Sequence, residues 1–377
     1  MADFNTKMIH GETPTKKVGS KATPIYQTSA FAFEDLNDME GFFGDTHDHL
    51  YTRYGNPNTD ELGERTAALE EAEQGVATSS GMSAILAGVL AVAKSGDHVL
   101  APEDVYGGTY GLFANDLKEW GIDVSFVSFT DQEALEQAIR PETVLLYAES
   151  VTNPLLRVED ISGLAELKEK HGLALMIDNT FATPYFLQPI KQGADLVVHS
   201  ATKYLGGHSD VTAGVLVGSE RYMSRAVPKV ISLGMNLSPF EAWLTVRGLK
   251  TLSVRMKEQG QNAAQVARFF KEKGMAAVYY PESLSEKGDG AVVSVDLGDA
   301  YEVETFFASL EWVKLVATLA GVETTVSYPL NTSHRTVPED IRERLGITPG
   351  VVRISVGLED AEDINGVFER ALEASRK

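Results

Sequence analysis

The sequence predicts an α/β protein with a large parallel-sheet domain and a smaller C-terminal α/β domain. Short apolar runs alternate with helical patterns between about residues 98 and 217, which is typical of a parallel sheet with crossover helices. From about residue 275 the runs become shorter, which indicates a second unit. We therefore expect an N-terminal arm over residues 1–48, a large domain over 49–237 and a small domain over 238–377.

Composition excludes several classes of function. The chain has 377 residues, a formal net charge of −21 and no cysteine. Disulfides, thiolate catalysis and cysteine-ligated metals are thereby excluded, and the negative charge argues against nucleic acid or an anionic membrane as a partner. The longest apolar stretch, about residues 84–93, is too short to cross a bilayer, and the first residues lack the apolar core of a signal peptide. We expect a cytoplasmic protein.

The N-terminal arm contains Pro14 and Pro24 and shows little periodicity, so it could wrap a second subunit. At its end, His47 and His49 flank Asp48 and suggest a metal site. No third ligand is evident, and a hydrated acidic loop is the favoured interpretation, so no metal is expected.

Two helix starts follow the arm. Asn56-Pro57 is typical of a turn, and Asp60 is the expected cap of a helix that continues to Ala72. Ser79-Ser80-Gly81 is expected to begin a helix of small and aliphatic residues. The free N–H groups of such a start would form an anion site.

Apolar runs predict the strands, and longer periodic stretches predict helices over about 131–139 and 238–272. The predicted strands of the large domain are His98–Ala101, Val124–Val127, Val144–Ala148, Leu173–Ile177, Asp195–His199 and Ala213–Val217. In the small domain, strands are expected at Ala276–Tyr280, Ala291–Leu297 and Lys314–Leu319.

One predicted strand end carries a lysine between hydroxyls and glycines. Lys203 follows the run that ends at His199, with Ser200 and Thr202 beside it and Gly206 after it. Lysine forms an imine with an aldehyde, a desolvated lysine is the better nucleophile, and the hydroxyls could bind a phosphate. A surface lysine in a glycine turn is the alternative interpretation of this stretch alone.

A carboxylate at a second strand end changes the weight of these alternatives. Asp178 follows the run Leu173–Ile177, and it precedes Lys203 by 203 − 178 = 25 residues, enough for one crossover to a neighbouring strand. A carboxylate beside a pyridine nitrogen keeps the nitrogen protonated. Aspartate and lysine together are what a protein usually contributes to pyridoxal 5'-phosphate chemistry.

Several motifs occur along the chain in a fixed order. They are Tyr51-Thr52-Arg53-Tyr54-Gly55-Asn56-Pro57, Glu149-Ser150-Val151-Thr152-Asn153-Pro154, the block from Ser200 to His208, Gly321-Val322-Glu323, and the run from Val351 to Asp360. With these motifs the chain resembles the Cys/Met-metabolism (transsulfuration) family of pyridoxal-phosphate enzymes over nearly its whole length. The resemblance implies the fold type I, aspartate aminotransferase-like, PLP-dependent transferase fold.

The resemblance also implies which residues hold the cofactor. Tyr51 and Arg53 would bind the phosphate of the neighbouring subunit's cofactor, Gly81 and Met82 would contribute backbone contacts, and Tyr106 would stack on the ring. The full cofactor set that it implies is Tyr51, Arg53, Gly81, Met82, Tyr106, Asn153, Asp178, Ser200, Thr202 and Lys203.

For the substrate, the resemblance implies that Arg353, Asn153, Glu323 and Thr324 bind the amino acid. Arg353 lies in a β-branched run, where an unpaired guanidinium would be costly, so a passive role is disfavoured. The implied catalytic residues are Lys203, Tyr106 and the neighbour's Tyr51.

The implied activity is γ-elimination or γ-replacement on sulfur amino acids or O-acyl-homoserines, as in the cystathionine γ-synthase and γ-lyase types. Glu323 is the expected discriminator from β-lyases, and Gly108, where methionine γ-lyases typically have cysteine, argues against that type. Cystathionine β-lyase and methionine γ-lyase nevertheless remain alternatives. An aminotransferase on the same fold and a non-catalytic cofactor-binding protein are the alternatives from other classes. The cross-subunit residues imply a homodimer at least, and the family commonly forms homotetramers.

Overall fold

The computed structural model describes residues 3–10, 19–44, 48–335 and 337–377. His47 and Pro14, which the sequence analysis singled out, lie outside these residues. Two sheets form the centre of the fold. The larger one contains β1 (Gln74–Thr78), β2 (His98–Pro102), β3 (Asp123–Val127), β4 (Thr143–Glu149), β5 (Ala174–Asp178), β6 (Leu196–His199) and β7 (Gly214–Gly218).

The large sheet has the strand order β1-β7-β6-β5-β4-β2-β3. Strands β2 to β6 are mutually parallel, and apolar side chains are buried on both faces, so the predicted parallel sheet is confirmed. β1 was not predicted, and β7 is antiparallel to both of its neighbours. The chain between β6 and β7 contains no helix, so it provides no crossover and β7 must return antiparallel.

The small sheet has the order β10-β11-β12-β9-β8. Its strands are β8 (Ala277–Tyr279), β9 (Val292–Asp296), β10 (Lys314–Leu315), β11 (Thr325–Ser327) and β12 (Val351–Ser355). The strand expected at Lys314–Leu319 ends at Leu315. Val316 still donates to the carbonyl of Val326 on β11 at 2.8 Å, but residues 317–319 line a cavity instead of continuing the strand, and Ala320 has a left-handed backbone with φ of 75°.

Helices cover both faces of the large sheet and one side of the small one. They are α1 (Phe4–Ile9), α2 (Leu36–Phe43), α3 (Pro57–Glu70), α4 (Gly81–Val92), α5 (Gly107–Gly111), α6 (Leu117–Glu119), α7 (Gln132–Gln137), α8 (Ile161–His171), α9 (Thr183–Phe186), α10 (Glu220–Ser232), α11 (Pro239–Leu249), α12 (Leu252–Glu272), α13 (Val303–Ala308), α14 (Glu339–Leu345) and α15 (Ala361–Ser375). A π-helical turn, Leu112–Asp116, joins α5 to α6, and short 3-10 turns lie at Pro189–Gln192 and Pro329–Asn331. No helix of the described residues is long and apolar enough to span a membrane.

The start of α3 differs from the prediction. Asn56, and not Asp60, is the cap, because its side-chain oxygen accepts the N–H of Asn58 at 3.0 Å. The carboxylate of Asp60 contacts the ring of His49 instead, at 2.7 Å. The side chain of Asn58 accepts the N–H of Tyr26 at 2.8 Å and donates to the carbonyl of Pro24 at 2.9 Å, so it fixes the arm to this helix.

The helical stretch predicted over 238–272 is two helices, α11 and α12, separated by Lys250 and Thr251. The indole N–H of Trp243 on α11 donates to the carbonyl of Thr23 in the arm at 3.0 Å. The domain boundary at 237/238 stays a prediction.

Candidate active site

A cavity of about 520 Å³ lies between the two sheets, at the carboxyl ends of β4, β5 and β6. This edge of a parallel sheet is where α/β proteins place ligands. The described residues that line it are Ser80, Gly81, Met82, Ile85, Tyr106, Gly107, Gly108, Glu149, Val151, Asn153, Asp178, Thr180, Phe181, Ser200, Thr202, Lys203, Ala317, Thr318, Leu319, Thr332, Ser333 and Arg353. Most of the site residues that the sequence predicts are among them.

Lys203 projects into this cavity from the tight turn after β6. Its N–H donates to the carbonyl of Ser200, and Gly207, with φ of 72°, closes the turn by donating to the carbonyl of Lys203. Burial, followed by the nearby charge of Arg353, lowers the pKa of Lys203 from 10.5 to about 8. A larger fraction of Lys203 than of a surface lysine is therefore the free amine near neutral pH, which makes it available as a nucleophile and proton acceptor.

Thr318 is a site residue that the sequence analysis missed. Its Oγ1 accepts a hydrogen bond from Lys203 Nζ at 2.7 Å, and its carbonyl accepts one from Arg353 Nη2 at 3.2 Å. A single residue of the β10–β11 connection thus contacts both cations of the cavity. The sequence gives no signal for this contact, since it joins positions 115 residues apart.

Arg353 lies on β12, where it is 3% exposed. Its Nη1 donates to Asn153 Oδ1 at 2.9 Å, and no ion pair of the described residues joins it to a carboxylate. Burial lowers the pKa of this guanidinium to about 10, so it remains charged at neutral pH. A buried cation without an acidic partner is prepared for an anionic ligand such as an α-carboxylate.

Two carboxyl groups lie side by side on the floor of the cavity, because Asp178 on β5 is in register with Glu149 on β4. Burial raises the pKa of Asp178, against hydrogen bonds from Thr180, whose N–H lies 2.9 Å from Oδ1. Burial and the neighbouring Asp178 raise the pKa of Glu149 well above its usual range. Glu149 accepts the N–H of Tyr106 at 2.6 Å and so fixes the backbone that carries that ring.

The N-terminus of α4 forms another part of the wall. The Oγ of Ser80 accepts the N–H of Ser83 at 3.1 Å. The N–H groups of Gly81 and Met82 belong to the first turn, so they have no intrahelical carbonyl as a partner. A side chain at Gly81 would meet the Cβ of Ser200 at 2.7 Å, so the close approach requires glycine. These donors, with the Ser200 hydroxyl, form an anion cradle. The hydroxyl of Thr202, in contrast, is bonded to the backbone of Ala213.

Tyr106 is 41% exposed and lies at the start of α5. A Cβ at Gly108 would lie 2.5 Å from the Cε1 atom of this ring. Glycine at position 108 therefore leaves room for the tyrosine beside the cavity.

Four predicted site residues do not line the cavity. Tyr51 and Arg53 precede α3 in the chain. Arg53 lines a separate depression of about 610 Å³, and its Nη1 donates to the carbonyl of Ile231 at 3.2 Å. Thr324 is buried, and its hydroxyl donates to Glu359 Oε2 at 2.7 Å and accepts the N–H of Gly357. Glu323 is next to it. The cavity wall is instead formed by Ala317–Leu319, earlier in the same connection.

Comparison with known proteins gives the family. A sequence model of the Cys/Met metabolism PLP-dependent enzymes matches residues 5–373. The chain belongs to this family. It is 40% identical to cystathionine gamma-lyase of Bacillus subtilis, covering 98% of both chains, and 39% identical to cystathionine beta-lyase of Lactococcus lactis, covering 99% of this chain and 100% of the other. A putative O-acetylhomoserine (thiol)-lyase from Campylobacter jejuni, solved with a pyridoxyl-lysine phosphate, has a TM-score of 0.94 and 28% identity over 99% of this chain and 100% of that one.

The described cavity fits the family's cofactor. The anion cradle at α4 suits a phosphate, Lys203 suits the aldehyde carbon, and the buried Asp178 suits a protonated pyridine nitrogen. The family is thus PLP-dependent, and its members are carbon–sulfur lyases and synthases.

Proposed function

We propose that this protein catalyses γ-elimination or γ-replacement on sulfur amino acids or O-acyl-homoserines, with the cystathionine γ-synthase and γ-lyase types first. The observation that carries the proposal is the set of hydrogen bonds that joins Lys203, Thr318, Arg353 and Asn153 in one cavity. Family membership supports the reaction class. Cystathionine beta-lyase from Lactococcus lactis is nearly as similar as the gamma-lyase, so β-elimination is the second candidate.

Each residue of the cavity has a task under this proposal. Arg353 and Asn153 bind the substrate's α-carboxylate, which places its α-carbon beside Lys203. Lys203, with a pKa near 8, removes the proton at that carbon. Tyr106, whose backbone Glu149 fixes, is the proposed acid near the leaving group. Pyridoxal phosphate, when bound, supplies the electron sink that stabilises the charge at the α-carbon.

The cofactor set is proposed as the sequence implies it, with one change of emphasis. Gly81, Met82 and Ser200 are the proposed phosphate contacts of the chain's own cavity, and Asp178 is the proposed partner of the pyridine nitrogen. Thr202 keeps a proposed role through its position beside Lys203, although its hydroxyl already bonds Ala213.

We further propose that Tyr51 and Arg53 complete the site of a second copy. They lie outside the cavity of their own chain, and apolar side chains nearby on α2 are strongly exposed, Leu36 at 79% and Phe43 at 70%. A homodimer is then the smallest active unit, and a homotetramer is the expected assembly. The cytoplasmic location that the sequence suggests stays a prediction.

The proposal is tested by product analysis on the purified, cofactor-loaded protein, with Lys203→Ala as the matched control. Separate reactions receive L-cystathionine, L-methionine, or O-acetyl-L-homoserine with cysteine. Cysteine, 2-oxobutanoate and ammonia from cystathionine, or their counterparts from methionine, would establish γ-elimination, and cystathionine from the ester would establish γ-replacement. Homocysteine with pyruvate from cystathionine would show β-elimination instead. Silence in every reaction, with the visible absorbance of the bound cofactor present, would refute the proposed substrates.

A further inference from the structure

Glu149 is a carboxyl group of the cavity that the proposed function uses only as a hydrogen-bond partner. It ends β4, is 5% exposed, and accepts the backbone N–H of Tyr106 on its Oε1 at 2.6 Å. Asp178 ends β5 in register with it, so both side chains project from the same face of the sheet. Among the described residues that line the cavity, these two carry the carboxyl groups. The protonation of this pair therefore determines how much negative charge the cavity floor presents to a ligand.

No cation of the described residues forms an ion pair with Glu149. Arg157 is the cation that lowers its pKa, but this guanidinium already pairs with two other carboxylates. Its Nε and Nη2 donate to Asp104, both at 3.1 Å, and its Nη1 lies 3.0 Å from Glu159 Oε2. Asp104 also adds a negative charge near Glu149. A buried, ionised Glu149 would thus be an uncompensated anion beside a second carboxylate, which is strongly disfavoured.

Of the two carboxyl groups on the floor, Asp178 is the better stabilised as an anion. Its Oδ1 accepts the N–H of Thr180 at 2.9 Å, and hydrogen bonding to Thr180 and the charge of His199 oppose the rise of its pKa on burial. Burial, followed by the charge of Asp178, raises the pKa of Glu149 well above its usual range. Burial also raises the pKa of the Tyr147 phenol on β4, so it adds no charge. The proton of the pair therefore resides on Glu149.

We propose that Glu149 is a positioning residue that acts as a neutral carboxylic acid, holding the backbone of Tyr106 while Asp178 carries the negative charge of the cavity floor. The two cations that line the cavity, Lys203 and Arg353, form no hydrogen bond with Glu149 in the described structure. The inference rests on the proposed function for the role of Tyr106 as an acid.

A neutral Glu149 contributes an acceptor at a defined reach, and its charge is not needed. The bond to its Oε1 fixes the backbone at the start of α5, and the missing side chain at Gly108 leaves room for the ring of Tyr106. The anion available to a pyridine nitrogen is then Asp178, which the N–H of Thr180 orients. Glutamine has the same reach and the same acceptor, so it separates the two properties of the side chain.

The charge is tested with Glu149→Gln, by urea unfolding of the full-length, cofactor-free protein between about pH 5 and pH 7 at one protein concentration. In the unfolded wild type Glu149 loses its proton above about pH 4.3, whereas the folded chain keeps it. The wild type therefore loses stability relative to the variant as the pH rises. We expect the ratio of unfolding constants, wild type over variant, to rise about tenfold per pH unit. A ratio independent of pH would show that Glu149 is ionised and would overturn the proposal.

The acceptor is tested in the cofactor-loaded protein by comparing Glu149→Gln with Glu149→Met. Both variants lose the same charge and have similar volumes, but methionine offers no oxygen to the N–H of Tyr106. We expect kcat of the glutamine variant to exceed that of the methionine variant by at least about tenfold. The visible absorbance maximum of the bound cofactor should match the wild type in the glutamine variant and shift in the methionine variant. Equal kcat and equal spectra in the two variants would overturn the positioning role.

A methionine variant that does not fold leaves the spectrum of Glu149→Gln to decide, because a shifted maximum there would show that the charge is needed. Failure of the proposed function gives a different result. A wild type that turns over none of the proposed substrates would refute the function, while the urea and absorbance comparisons need no turnover and still decide the state of Glu149. Turnover by the wild type together with a pH-independent ratio would refute the neutral acid alone.

Discussion

The two arginines that the sequence analysis assigned to anion binding lie in contrasting surroundings. Arg353 is buried on β12 and held by Asn153 and the Thr318 carbonyl. Arg53 is half-buried outside the cavity, with one bond to a backbone carbonyl and the ring of Tyr54 4.9 Å from its guanidinium carbon. The first anion site is organised within one chain, so the Arg353 side chain is already ordered when the chain has folded. Under the proposed cross-subunit role, the second becomes an anion site only through association, so its occupancy should depend on the dimer.

The largest effect on the cavity that contains Arg353 is expected from removal of Lys203. We expect Lys203→Ala to lower kcat by at least about a thousandfold, because the residue proposed to move the α-proton is lost. The variant should remain folded, and Lys229→Ala, on the exposed surface, should have wild-type rates. Steady-state kinetics with the substrate found by product analysis measures the loss, and residual activity within tenfold of wild type would contradict the role of Lys203.

Arg353→Lys keeps the positive charge of the first site and removes the guanidinium group with its several N–H donors. We expect kcat/KM to fall by about a hundredfold, since a lysine cannot pair bidentately with a carboxylate or retain both bonds to Asn153 and Thr318. The loss should appear chiefly in KM. A variant with unchanged KM and lowered kcat would show that Arg353 does not bind the ground-state carboxylate.

Burial of the Lys203 ammonium should lower the free energy of unfolding of the cofactor-free protein. No such cost is expected for Arg53, which is only half-buried. Below pH 8, folded and unfolded chains both carry the Lys203 proton, and the cost of burying the cation is present in full. Between pH 8 and 10.5 the folded chain loses the proton first, so its stability rises with pH. Lys203→Met should therefore raise the free energy of unfolding by about 1–3 kcal/mol at pH 7, with a smaller gain at pH 10. Urea unfolding at both pH values measures it, and a gain independent of pH would contradict the lowered pKa.

Arg53→Ala tests whether the second region serves another chain. We expect cofactor affinity to fall by about tenfold, because the proposed charged contact to the phosphate is lost. Under the proposal, a competent site needs Lys203 of one chain and Arg53 of the other. Dimers of either variant alone therefore have no fully competent site. A mixed dimer has one, in which the Arg53→Ala chain supplies Lys203 and the Lys203→Ala chain supplies Arg53. Random mixing of the two should restore about a quarter of the sites. If mixing restores no activity, Arg53 does not act in the site of the other chain, and the cross-subunit assignment is wrong.

The smallest expected effect concerns the helix that supports the second region. Asn58→Thr removes both side-chain bonds to the arm at Tyr26 and Pro24. We expect the free energy of unfolding to fall by about 1–2 kcal/mol, with kcat unchanged. A change in kcat without a change in stability would indicate a direct part in the site.

The predictable part of this molecule is the part determined locally. Apolar runs located β2 to β6, and their ends located Asp178 and Lys203, because parallel strands bring their carboxyl ends together. The β-branched run around Arg353 likewise indicated a buried, engaged arginine. These inferences needed only the period of the pattern and the cost of burying charge.

What could not be predicted depends on competition between distant partners. Asp60 was expected to cap α3, but it contacts His49, and Asn56 is the cap. Glu323 was expected to bind the substrate, but in the β10–β11 connection it is Ala317, Thr318 and Leu319 that line the cavity. A sequence pattern does not reveal which of several nearby polar residues a folded connection will turn inward.

Ala317, an exposed residue that lines the candidate active-site cavity, also offers a reporter position. Because the natural chain contains no cysteine, Ala317→Cys would introduce its sole thiol at the mouth of the cavity. A thiol-reactive fluorophore would then label each subunit once, with no background to remove. The rate of that labelling, with and without norleucine, would measure how far a bound amino acid shields the mouth from solvent.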